Sequence, residues 1–323
     1  MGDMAKGRVA ALVVAVLLGA LVGTVADAGT PRLRVAAALP GIITDKAWNQ
    51  TGYEGLKMIE KELGAQIAYT ERVAQPDQVE VMSDYARRGY DLVFGHGGEF
   101  DSAGKQVAAR FPRTKIVINN GVSTAPNLAT SQINHFQVSF LAGVVAGLMT
   151  KTNKIAAISA QKFQAIDESM IGLEQGAKYV NPRVQMFTSY TGDWDNVGKG
   201  KEAALAHIAR GVDVLYPLLD HAMLGVIEAA KEKKVFVIGY PRDQLSLAPE
   251  TVLTSAIENI AVAMLEVAKL VAAGKFQGKG YVFGIENPAA ARLGRYGAMV
   301  PQRVRDRVEE VKKLLLAGKI QRK

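Results

Sequence analysis

From residue 33 to the C-terminus, short apolar runs of strand length alternate with stretches whose apolar residues recur every three or four positions. No other feature of the chain constrains the fold as strongly. Runs at 33–39, 66–73, 91–94 and 115–118 read as strands. Those at 91–94 and 115–118 are almost wholly apolar, as strands covered on both faces must be. Residues 45–63 form a helical pattern with Tyr53, Leu56, Ile59 and Leu63 on one stripe, and Pro76 opens the next helix. The rhythm restarts near Lys154, with strands at 154–159, 184–190, 212–218, 235–240 and 251–256 and helices at 195–210 and 221–233. An amphipathic helix follows at 260–273, and the last helix, 301–316, lines up Val304, Val308, Val311 and Leu315. Such alternation demands crossover connections, hence parallel sheets wound with helices. A chain of 323 residues suits two lobes of this kind better than one core. The predicted fold class is α/β, two doubly wound lobes.

In such sheets ligands bind in the loops at the carboxyl ends of the strands. That rule selects 40–49, 95–101, 161–167, 191–196, 219–221 and 241–243, which hold both tryptophans of the chain. The candidate contacts are Asp45, Trp48 and Asn49, then His96 and Phe100, Phe163, Trp194, Asp220, and Arg242 with Asp243. Glu258 joins them just past the strand at 251–256. A tryptophan on a ligand-edge loop of each half favours stacking on a flat solute, although either ring could instead staple its helix to its lobe. Asp45 suits a helix cap as well as a ligand. Asn49 could face solvent. Asp220 and Asp243 suit turns, and Arg242 could pair with Asp243. His96 suits a structural hydrogen bond as well as a ligand contact. Glu258 suits hinge structure or acceptance of ligand N–H groups.

Catalytic patterns are missing. The four histidines, His96, His135, His207 and His221, are far apart and form no HExxH pair. No GxSxG turn occurs, and Gly95-His96-Gly97-Gly98 lacks both the Walker lysine and the full dinucleotide fingerprint. Cysteine is absent, which removes disulfides and thiol chemistry. No carboxylate spacing singles out an acid/base pair. The expectation is a binding protein, not an enzyme, with no cofactor and no metal. The net charge of +8 invites a nucleic-acid partner, but the basic residues are scattered and densest in the last twenty-odd positions, as a solvated helix face and tail would be.

The N-terminus reads as an export signal: Lys6 and Arg8, a charge-free apolar run over 9–25, then Ala26-Asp27-Ala28 as a cleavage site. The run is shorter than the ~20 apolar residues of a spanning helix. The expectation is cleavage after Ala28 and a periplasmic mature chain that meets the membrane only through a permease.

The loops carry a family resemblance. Asp45-Lys46-Ala47-Trp48-Asn49-Gln50 with Gly55-Leu56, the segment 97–103, Phe140-Leu141-Ala142-Gly143, and Gly192-Asp193-Trp194-Asp195-Asn196 followed by 199–204 occur in one order. The segment 225–231, Asp243-Gln244 and Val252-Leu253-Thr254-Ser255 complete the set. This series resembles the basic membrane protein family of solute-binding proteins, with Trp48 and Trp194 where the family usually has phenylalanine. The resemblance implies a type I periplasmic-binding fold whose chain crosses between lobes three times, near Asn134, Ile257 and Tyr281. It implies a signal peptide (1–28), one lobe of 29–137 with 258–282, and another of 138–257 with 283–323. It further implies capture of a small molecule by lobe closure, with ABC permease subunits as partners. Relatives of known ligand often bind purine nucleosides. Ser102, Pro241 and Glu258 depart from positions where such relatives carry ribose partners, so a nucleobase fits at least as well. The alternatives are a sensing receptor domain or two-domain enzyme on the same fold, or a non-purine solute such as a sugar.

Overall fold

A computed structural model describes residues 32–46, 48–162 and 164–323. The export-signal reading and Phe163 lie outside the described residues. The first strands are β1 (Arg34–Ala38), β2 (Gln66–Thr70), β3 (Leu92–His96), β4 (Lys115–Asn119) and β5 (Leu128–Ile133). They alternate with α1 (Trp48–Leu63), α2 (Gln78–Arg87) and α3 (Asp101–Arg110). Then come α4 (His135–Met149), β6 (Lys154–Ser159), α5 (Gln164–Val180), β7 (Gln185–Tyr190), α6 (Val197–Ala209) and β8 (Val214–Leu218). The chain continues through α7 (Met223–Lys233), β9 (Phe236–Gly239), β10 (Val252–Glu258), α8 (Ile260–Ala272), β11 (Gly280–Phe283), β12 (Ala291–Leu293) and α9 (Gln302–Leu316).

The strands form two six-stranded sheets, ordered β11-β5-β4-β3-β1-β2 and β12-β10-β9-β8-β6-β7. Every pairing is parallel except the antiparallel β10–β12 edge. The two-residue period of a strand divides each sheet's side chains between two cores. Val35 and Ala37 of β1 pack with Leu56, Ile59 and Met264 of α1 and α8, whereas Ala36 and Ala38 pack with Met82, Tyr85 and Val107 of α2 and α3. In the second sheet Ile155 and Ala157 face α4, α5 and α9, and Ala156 and Ile158 face α6 and α7. This is the doubly wound, two-lobed architecture expected from the alternation.

Three crossovers join the sheets. Past β5, Asn134 caps α4 by accepting the Gln137 N–H at 3.1 Å, and α4 packs against the second lobe. Past β10, the chain enters α8 under the first sheet, adds β11 to that sheet, and returns as β12 to the second. β5, α4, β11 and β12 were not resolved as elements by the periodicity. α4 is buried nearly all round, so it shows no amphipathic stripe.

Candidate ligand-binding site

The carboxyl ends of both sheets face one cleft. Pro40 and Gly41 beyond β1, Gly97 to Glu99 beyond β3 and Asn120 beyond β4 line it from one sheet. From the other come Ala165 and Ile166 at the start of α5, Trp194 and Asp195 beyond β7, Leu218 and Asp220 at β8, and Tyr240 beyond β9. Trp48 and Asn49, in the first turn of α1, complete the wall.

Asp45 organises that first turn. Its carboxylate accepts the backbone N–H groups of Asn49 (2.8 Å) and Gln50 (3.0 Å), so the helix begins at Trp48 rather than at residue 45. Asn49 donates from Nδ2 to Asp45 (2.8 Å) and accepts the Gly41 N–H (2.9 Å), which pins the loop beyond β1 to the helix. Trp48 stacks on His96 with ring centroids 4.3 Å apart and planes 15° from parallel. His96 Nε2 lies 2.9 Å from the Trp48 carbonyl oxygen, an acceptor, so this nitrogen carries the proton. Nδ1 then accepts from Asn119 Nδ2 at 2.9 Å. Trp48 Nε1 donates back to the His96 carbonyl at 3.3 Å. Burial holds the His96 pKa down to about 4, so the ring is neutral at pH 7. A Cβ on Gly52 would stand 2.6 Å from the imidazole, so the helix can lie this close only with glycine there. His96 is thus the backing of Trp48 and does not itself line the cleft.

Asp220, 8% exposed, reaches across from the second sheet. It accepts the Trp48 backbone N–H and lies 3.4 Å from Asn49 Nδ2. Burial, then the nearby Asp45, Asp195 and Glu99, push its pKa well above the usual carboxylate range. Beneath the cleft floor Glu258 is fully buried. Its Oε2 lies 2.7 Å from His135 Nδ1 and accepts the Tyr240 hydroxyl at 3.3 Å. His135 Nε2 in turn lies 2.9 Å from Asn120 Oδ1. Tyr240 and Asn120 are therefore held in place by one buried network. Burial and the Glu258 charge push the Tyr240 hydroxyl up, so it stays a donor.

The structure brings Trp48, Asn49, Trp194 and Asp220 to one wall, with Asp45 and His96 directly behind and Glu258 below. It removes three others. Phe100 is fully buried in the core between the first sheet and α2–α3. Arg242 does not pair with Asp243; it meets Glu54 of α1 at 2.6 Å, in a recess beside the crossovers. Asp243 meets Arg295 at 2.8 Å and caps the Leu245 N–H. Sequence reasoning missed Asn120 and Tyr240 as cleft residues. The same carboxyl-edge rule applied beyond β4 would have found Asn120. Among the described residues no group of three or more His, Asp or Glu side chains could hold a metal ion, and no helix is long and apolar enough to cross a membrane.

Comparisons with known proteins agree with this geometry. Residues 32–313 match the family model described as Bmp, ABC transporter substrate-binding protein PnrA-like. The transcriptional activator protein Med of Bacillus subtilis is 29% identical over 86% of this chain and 87% of its own. The ABC transporter nucleoside-binding protein BmpA of Lactococcus lactis is 27% identical over 86% and 85%. Among solved structures, a transcriptional activator of the comK gene from Bacillus halodurans superposes with a TM-score of 0.75 at 27% identity, covering 87% of this chain and 96% of that one. An ABC solute-binding protein from Aeropyrum pernix reaches 0.80 at 21% identity, over 90% and 92%, and speaks for the fold alone. The family is one of extracytoplasmic solute-binding proteins rather than enzymes, and the resemblance read from the loops is borne out. With two parallel sheets, three crossovers and a cleft at their carboxyl ends, the chain belongs to the Bmp family of PnrA-like ABC transporter substrate-binding proteins.

Proposed function

We propose that this chain is the capture subunit of an ABC importer for a flat, polar heterocycle of purine size, exported by cleavage after Ala28 and working in the periplasm. Its lobes would divide as 29–137 with 258–282 and 138–257 with 283–323. One observation carries the reading: the two tryptophans, one from each sheet's loops, line the same cleft. Indole faces stack on planar rings of any base. Asn49, Asn120, Asp220 and Tyr240 add polar side chains to the same lining. The name of the Lactococcus relative, a nucleoside-binding protein, supports the same solute class. Capture is reversible lobe closure, with the closed form presented to the permease.

Nucleobases should bind better than the matching nucleosides. Ser102 is exposed and does not border the cleft, and Glu258 Oε2 is committed to His135 and Tyr240. A buried ribose lacking partners costs about 1–3 kcal/mol per unsatisfied group. Calorimetric titration with adenine, guanine, xanthine and their nucleosides decides the matter. Tight guanosine binding with none for guanine would reverse the order, and no binding by any of them would remove purines as the solute class.

A further inference from the structure

We propose that the solute carries a positive charge: the cleft is built for a heteroaromatic cation, N-alkylated or ring-protonated, in preference to its neutral counterpart. The inference rests on the heterocycle reading above and narrows it. Among the described residues, three ionisable carboxyl side chains line the cleft, those of Glu99, Asp195 and Asp220, and no Lys, Arg or His does. None of the three joins an ion pair among the described residues. The cations near them in the chain are engaged elsewhere: Lys199 with Asp193, Arg242 with Glu54 and Arg295 with Asp243. Lys162 borders an adjoining outer recess, which Glu99 and Trp194 also border, and does not line the cleft.

Two more carboxylates lie one layer down. Asp45 is fully buried behind Asn49, where it accepts from Asn49 and Gln50, and Glu258 is fully buried under Tyr240, paired with His135 at 2.7 Å. The chain as a whole is +8, so this concentration of acid runs against the protein's average charge. Asp220 is the buried one of the three lining carboxylates and joins no ion pair among the described residues; a carboxylate so placed is costly, and a cation arriving beside it relieves that cost. Burial and mutual repulsion have already driven the Asp220 pKa upward, in the direction such a cation would reverse. The rest of the wall is aromatic: Trp48, Trp194 and Tyr240. The face of an aromatic ring is its negative pole and attracts a weakly hydrated organic cation, for which Trp is the best partner. Carboxylates in the rim and floor, with indole faces on the walls, suit a charge spread over a flat ring. A compact metal ion would instead need a cluster of oxygen ligands, and the described residues form none.

The test uses charge-matched pairs on the full chain: 1,9-dimethyladenine, cationic at neutral pH, against 9-methyladenine, and N1-methylnicotinamide against nicotinamide. Both tryptophans report through intrinsic fluorescence, and calorimetry supplies Kd. In at least one pair the cation should bind about tenfold tighter or more than its neutral partner. Asp220→Asn should lower the cation's affinity by about tenfold and bring the ratio within the pair close to one. Asp195→Asn, at an exposed position, should move the ratio the same way by less. If the neutral members bind as tightly as the cations, the charge inference falls and the heterocycle reading stands. If no member of either pair changes the fluorescence or heat up to millimolar concentration, both fall.

Discussion

Trp48 and His96 act as one unit. A lone indole at a helix start can swing between rotamers, but here the imidazole fills one face and two reciprocal hydrogen bonds tie the residues together. Little ordering entropy then remains to be lost when a ligand stacks on the other face. Trp48→Ala and Trp194→Ala should each weaken binding of the true ligand by about tenfold to a hundredfold, as the loss of one stacking face does. Both variants should keep wild-type circular dichroism; wild-type affinity in both would make the tryptophans structural. His96 also links stability to pH. Its folded pKa, about 4, lies below the unfolded 6.5, so the unfolded chain binds the extra proton between these values. The stability is present above pH 6.5 and is lost as pH falls toward 4, by roughly 3 kcal/mol from this group. Urea denaturation at pH 7 and pH 4 should show a shallower fall for His96→Asn than for the wild type. An unchanged pH slope in the variant would deny His96 this role.

At the scale of elements, the contact between α4 and α5 anchors the second lobe. A Cβ on Gly176 would stand 2.0 Å from the Phe140 carbonyl oxygen, and one on Gly143 would stand 2.2 Å from that of Leu173. Those neighbours are helix backbone and cannot swing aside. Gly176→Ala should therefore cost about 1–3 kcal/mol, as overpacking does. Lys178→Ala, exposed on the same helix, should stay within about 0.5 kcal/mol. Chemical denaturation of the two variants separates the outcomes, and equal stability would mean that the helices part easily. The same contact explains why α4 escaped the sequence reading. A helix covered by α5, α9 and β10 has no solvent face, so period 3.6 has no contrast to register. β5 and β12 were illegible for another reason. Leu128–Ile133 carries Thr130, Ser131 and Gln132, and Ala291–Leu293 is only three residues long, so neither is a distinct apolar run.

At the scale of the whole molecule, polar contacts outside any ligand join the lobes, Asn49 Nδ2 to Asp220 at 3.4 Å among them. Asp220 accepts the Trp48 N–H, and Arg242 meets Glu54. If the crossovers act as hinges, ligand should lower the radius of gyration seen by small-angle scattering, and an unchanged profile at saturation would exclude closure. The Glu54–Arg242 pair is partly exposed (31% and 40% for Arg242 and Glu54), so solvent screens it and its worth is about 0.2–1 kcal/mol. Arg242→Ala should weaken ligand binding by no more than about fivefold while leaving the compact bound state intact. The exchange Glu54→Arg with Arg242→Glu should recover the loss. Failure to recover it would mean that Arg242 acts on something other than Glu54.

What the sequence determined by itself was the layering and the rim. Alternation of period 2 and period 3.6 is written in neighbouring residues, so parallel sheets, wound helices and the loops at their carboxyl ends could be read directly. Those loops contained Trp48, Asn49, Trp194 and Asp220, and all four line the cleft. What only the tertiary structure decided was each side chain's partner. Phe100 went to the core, Arg242 crossed to Glu54 and Asp243 to Arg295. Asn120, Tyr240, His135 and Glu258 are separated by up to 138 positions, yet join in one network beneath the cleft. Such pairings depend on distances set when two sheets, built from discontinuous segments, are brought edge to edge, and no local pattern in the chain encodes a distance across that gap.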